Sequence, residues 1–115
     1  MPMHQETLRQ LAQNCRRKDC RFLGLPRDWN PGIIENPEFR GFYFTELSAW
    51  ELIAHLIDTG HPYEDFNFDN PKGAVGIVMK VKLFDDKPLL YIKVQLGANN
   101  RAIGRSFHYS DFSGV

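Results

Sequence analysis

Three β-rich segments in the final third of the chain leave it few folds. Gly76 to Phe84, Leu89 to Leu96 and Ala102 to Tyr109 each alternate or are rich in strand formers. Asp85-Asp86-Lys87-Pro88 and Gly97-Ala98-Asn99-Asn100 separate them as hairpin loops. The spacing predicts a three-strand antiparallel meander over 76–109. Upstream, Tyr63 to Phe68 reads as a fourth short strand or an irregular edge, followed by a turn at Asn70-Pro71-Lys72-Gly73.

Two helices precede the strands. Leu8, Leu11, Ala12 and Cys15 recur at three- and four-residue steps, which predicts a helix over about 6–17. Arg16, Arg17 and Lys18 crowd its last turn, where cations suit the dipole. A second helix is predicted over 46–59. Thr45 caps it, and Leu47, Trp50, Ile53, Ala54 and Ile57 form its apolar stripe. Gly60 stops it, with Pro62 just beyond. His55 lies off the stripe, and His61 reads as a loop residue. Residues 24–41 hold Gly24, Pro26, Pro31, Gly32, Pro37 and Gly41 and form a long loop. Such loops are uncommon in compact domains and often functional. Trp29 and Ile33–Ile34 are expected to pack down from it, and Phe42 to Phe44 to form a short strand. The expectation is one α+β domain over 1–115. Its two N-terminal helices pack on a C-terminal antiparallel sheet of three or four strands.

Composition removes several classes of protein. Hydrophobic residues make up 43% and charged residues 24%, a globular balance rather than a disordered one. No apolar run nears the roughly 18 residues of a membrane span. Met1 to Gln10 lacks the basic start and apolar core of a signal peptide, so a cytoplasmic chain without membrane contact is expected. Fourteen basic and fourteen acidic residues cancel, which argues against a nonspecific coat for nucleic acid. Residues 1–72 hold 8 basic and 11 acidic side chains, whereas residues 73–115 hold 6 and 3. An anion site is therefore expected in the C-terminal third. Cys15 and Cys20 alone cannot complete a zinc site and read as reduced thiols, Cys15 on the buried side of its helix. There is no Gly-rich phosphate loop, no G-x-S-x-G and no H-E-x-x-H. Asp85-Asp86 is turn chemistry rather than a carboxylate pair. Neither a metal nor a cofactor is expected.

Alternation sorts the strand residues by face. Ile77, Met79, Val81 and Leu83, with Leu90, Ile92, Val94 and Leu96, point one way. Ile103, Phe107 and Tyr109 join them, with Arg105 an awkward member. Four-residue loops place Lys82 across from Tyr91 and Tyr91 across from Ser106. They place Lys80 across from Lys93 and His108 beside Leu89. The opposite face then gathers Lys80, Lys82, Tyr91, Lys93, Gln95, Ser106 and His108. An ordinary solvated sheet face accounts for much of this. Three lysines without a carboxylate also suit a phosphate, which would relieve the Lys80–Lys93 repulsion.

At these residues a family likeness enters. Leu90-Tyr91-Ile92-Lys93-Val94, a turn, and then Ser106-Phe107-His108 resemble the closing strands of MqsR-type toxins. The layout of helices followed by an antiparallel sheet resembles the wider RelE-like group of ribonuclease toxins. The resemblance implies a toxin of a toxin–antitoxin system, bound by a cognate antitoxin. It implies metal-independent cleavage of messenger RNA, free or on the ribosome. The ribose 2′-OH attacks the adjacent phosphorus, leaving a 2′,3′-cyclic phosphate and a 5′-OH. Such chemistry needs a base, cations for the phosphorane and an acid. The resemblance places His108 as acid or base, Lys80 and Lys93 on the phosphate, and Tyr91 as orienter or acid. Lys82, Arg101, Arg105, Gln95 and Ser106 are the further phosphate-binding candidates, with Arg105 on the wrong face in this register.

A second reading needs no catalysis. Fifteen of the 115 residues are aromatic, and Trp29, Phe39, Phe42, Tyr43 and Phe44 cluster around the long loop. Exposed, they mark a protein interface. An inhibitor, an immunity protein or an inactive toxin relative would act that way.

Overall fold

The computed structural model describes residues 5–17, 21–23, 26–67, 75–97 and 101–110. Helix α1 spans Gln5–Cys15 and buries Leu8, Leu11, Ala12 and Cys15, as their spacing predicts. It ends before Arg16. Arg16 and Arg17 follow in a tightened turn, bonding the Gln13 and Asn14 carbonyls. The expected basic last turn is therefore a basic exit from the helix, with Lys18 outside the described residues.

Helix α2 spans Glu46–Asp58. The Thr45 side chain accepts from the Ser48 amide, and Ser48 Oγ accepts from the Thr45 amide at 2.8 Å, a reciprocal cap. The helix buries Ala49, Trp50, Ile53, Ala54 and Leu56. Its buried stripe is rotated toward Ala49 and Leu56, which leaves Leu47 exposed at the margin. Gly60 follows at φ +78°, a left-handed position that glycine takes without a Cβ penalty.

Four antiparallel strands follow: β2 (Glu64–Asn67), β3 (Val75–Val81), β4 (Leu90–Leu96) and β5 (Ala102–Tyr109). They lie in the order β5-β4-β3-β2. An unforeseen strand, β1 (Arg21–Leu23), adds a parallel edge on β5, Arg21 against Ala102 and Leu23 against Gly104. The fold is α+β, with N-terminal helices on a C-terminal antiparallel sheet. Ile77, Met79, Leu90, Ile92, Val94 and Phe107 meet Leu11, Trp50 and Ile53 in one buried cluster.

The segment between β1 and α2 is tied to that cluster. Trp29 is buried, packs at a tilt with its ring centre 4.9 Å from that of Trp50 and 5.5 Å from that of Phe107, and donates its indole N–H to Glu46. The Asn30 amide bonds the Phe107 carbonyl at 3.0 Å. Ile34 packs down as expected, but Ile33 faces solvent. Residues 42–44 do not form a strand. A single bridge pairs Glu35 with Tyr43 across a turn that presents Phe39 and Phe42.

Two features reset the sheet register. Strand β3 ends at Val81 rather than Phe84, so the β3–β4 connection is longer than four residues. A β-bulge between Lys93 and Val94 leaves Arg105 as an extra residue on β5. Before the bulge Ala102 and Gly104 share the core side, and after it Phe107 and Tyr109 do. Ile103 is therefore not the core-face partner of Phe107 that alternation predicts.

Candidate active site

The sheet face away from the helices carries the polar residues, in rows different from the predicted ones. Lys80 pairs with Tyr91, and Tyr91 with His108. Val78 pairs with Lys93, and Lys93 with Ser106. The expected Lys80–Lys93 opposition does not occur, nor do Lys82–Tyr91 and Tyr91–Ser106. His108 stands beside Tyr91 rather than Leu89. The slip is two residues, which changes neighbours but keeps faces.

The Lys80–Tyr91–His108 row is the chemically suggestive part. The Tyr91 and His108 rings stack at 5.6 Å with a 21° interplanar angle. Nδ1 of His108 lies 2.9 Å from the Tyr109 carbonyl oxygen. A carbonyl only accepts, so this bond places the proton on Nδ1. Nε2 then keeps the lone pair in the neutral ring. Burial, with the Glu64 carboxylate second, pushes the Tyr91 phenol above its usual value, so it keeps its proton at neutral pH. Lys80 is exposed at the end of the row. Its backbone carbonyl accepts from His61 Nε2 at 2.9 Å. A hollow of about 170 Å³ between Pro62, Tyr63, Glu64, Val78 and Lys80 opens beside it.

Lys93 sits one row along. Its ammonium lies 4.2 Å from the Phe66 ring centre and 5.9 Å from that of Tyr91. Burial lowers its pKa first and Arg105 second, with Asp28 opposing. The face also carries a carboxylate that the meander alone did not reveal. Glu64 pairs with Val78 through β2, on the same face as Lys93 with Val78 between them, and its charge acts on the Tyr91 phenol.

The remaining candidates separate. Lys82 lies beyond β3 and folds back, donating to the Lys87 carbonyl at 2.9 Å. Gln95 and Ser106 are only 5% and 6% exposed, too enclosed for an RNA backbone to reach directly. Arg105 is corrected in direction. The bulge turns it toward Gln95, whose Oε1 accepts its Nη1 at 2.7 Å. Arg101 precedes β5, seven residues from His108, about 20 Å along a strand. Lys80, Tyr91, Lys93 and His108 thus gather at one end. Arg101 and Gln95 belong to the other, and Arg105 stands between the two, bonded to Gln95 and near enough for its charge to act on Lys93.

Cys15 is buried as expected, while Cys20 lies outside the described residues. No group of three or more His, Cys, Asp or Glu among the described residues is placed to hold a metal ion. None of the described helices is long and apolar enough to cross a membrane. Compared with known proteins, the chain matches no family model, no curated protein and no solved structure.

Proposed function

We propose that the chain is an endoribonuclease of the toxin type, acting on messenger RNA in the cytoplasm and held in check by an antitoxin protein. The observation that carries this reading is the Lys80–Tyr91–His108 row, with His108 Nε2 left as a proton acceptor. Nε2 takes the proton of the ribose 2′-OH. The freed oxygen attacks phosphorus, and the bond to the 5′-oxygen breaks. The Tyr91 phenol, which keeps its proton, donates to that leaving oxygen. Lys80 and Lys93 offset charge on the non-bridging oxygens. Every step uses groups of the chain and the RNA alone.

The test is a single-stranded RNA oligonucleotide incubated with the purified chain in excess EDTA. Cleavage to 2′,3′-cyclic phosphate and 5′-OH ends is expected. Tyr91→Phe should slow it by about 10²–10⁴-fold, the scale of one acid–base group. Intact RNA with the folded wild-type chain, both as the free oligonucleotide and as messenger RNA on ribosomes, defeats the reading. The exposed Phe39, Phe42 and Tyr43 favour a second reading, a protein-binding module without catalysis.

A further inference from the structure

On the helix side of the sheet, a cleft of about 580 Å³ opens between α2 and the turn at residues 36–39. Phe44, Leu52 and Pro37 supply its apolar lining, and Phe39 lies at its rim. Phe39 is 61% exposed, and the same turn presents Phe42 at 71% and Tyr43 at 60%. Grouped aromatic exposure of this kind marks a binding surface rather than scattered apolar atoms. The turn is also held in shape. Glu35 accepts from the Gly41 amide at 2.9 Å and from Arg40 Nε at 3.3 Å, and Gly41 takes φ +89°.

Charge selects the occupant. Residues 33–58 contain five carboxylates. Three are engaged: Glu35 with Arg40, Glu46 with the Trp29 indole, and Asp58 with Arg16 at 2.7 Å. Glu38 and Glu51 have no side-chain partner among the described residues, and both line this cleft, one on the turn and one on α2. Arg16 also borders the cleft, but Asp58 answers its charge. The cleft therefore joins an apolar lining to two unanswered negative charges.

We propose that this cleft is the docking site for a protein partner that presents a Lys or Arg side chain beside an apolar one. The cation enters between Glu38 and Glu51, and the apolar neighbour covers Phe39 and Leu52. This assignment is independent of the nuclease reading, because the cleft shares no residue with the Lys80–Tyr91–His108 row.

The test uses the full chain, labelled with ¹⁵N, and two blocked synthetic peptides. One is Ala-Leu-Lys-Leu-Ala, and the other carries Glu in place of Lys. The lysine peptide should shift the amides of Glu38, Phe39, Glu51 and Leu52, and the glutamate peptide should not. The double variant Glu38→Gln, Glu51→Gln should weaken the lysine peptide about tenfold, the scale of two partly exposed ion pairs. Phe39→Ala should weaken it further while the melting temperature stays unchanged. Equal shifts from both peptides, none from either, or unchanged affinity in the double variant would overturn the proposal. So would a wild-type dimer in sedimentation that Phe39→Ser returns to monomer, because the occupant would then be a second copy of the chain.

Discussion

Gly104 is where strand β5 admits Trp29, and a single methyl group there should be costly. A Cβ on residue 104 would lie 2.7, 2.8 and 2.9 Å from Cζ3, Cε3 and Cη2 of Trp29. Carbon atoms pack favourably at about 3.5–4.0 Å, so the ring would have to retreat by almost 1 Å. It has little room to do so. Trp50 stands 4.9 Å behind it, Phe107 flanks it at 5.5 Å, and Glu46 holds its indole nitrogen at 2.6 Å. Overpacking of this kind costs about 1–3 kcal/mol. Losing glycine's freedom in the unfolded chain returns about 0.4–1 kcal/mol, so the expected net loss is about 1–2 kcal/mol. Trp29→Leu removes all three clashing atoms. On that background Gly104→Ala should cost nothing or stabilise slightly, giving a coupling of about 1–3 kcal/mol. Urea denaturation of wild type, both single variants and the double variant, followed by far-ultraviolet circular dichroism, reads the cycle. A Gly104→Ala loss below about 0.5 kcal/mol, or additivity within that margin, would refute the packing argument.

Three further predictions follow. Burial holds the Cys15 thiol up to about 12, opposed by Arg16 and Arg21, against 9.0 for an unperturbed thiol. Between those values the folded chain keeps a proton that the unfolded chain has released, so stability falls as pH rises, by about 1.4 kcal/mol per unit. The contribution is fully present below pH 9, and Cys15→Ala should remove that slope in urea midpoints compared at pH 9 and 11; parallel slopes would contradict it. Thr45→Ala deletes the reciprocal cap of α2 and should lower stability by about 1 kcal/mol in thermal or urea unfolding, with Thr45→Ser close to wild type. Lys93→Met keeps the stem between Phe66 and Tyr91 but removes the cation, so it should spare folding while slowing RNA cleavage at least tenfold; unchanged cleavage would remove Lys93 from the site.

The strands and helices were legible because period and punctuation agree in them. Thr45, Gly60 and the Asp85–Pro88 turn fall where local chemistry requires. Register was not legible. Leu83 and Phe84 continue the alternation of β3 yet pair with nothing in the ladder, and no local rule says where pairing stops. The consequence stayed limited because the slip is even. Lys80, Tyr91, Lys93 and His108 kept their face and changed only their neighbours. The bulge had a signal, since Arg105 breaks an otherwise apolar series, and an intruder in an alternating strand marks an extra residue. Strand β1 had none, being three residues long and held by pairing with β5. Glu64 was missed because the face of β2 follows from its pairing with β3. Leu47 was misplaced because Ala49, Ile53 and Leu56 also recur at four- and three-residue steps, and spacing alone does not say which of the two overlapping stripes is buried.

The most direct test of the central claim is RNA-end mapping after induced expression of wild type and His108→Ala in a bacterial host. The nuclease account predicts growth arrest with new 5′-OH ends for wild type. It predicts loss of both in a His108→Ala chain that circular dichroism shows to be folded. Harmless expression with intact RNA, or unchanged cleavage by His108→Ala, would contradict it.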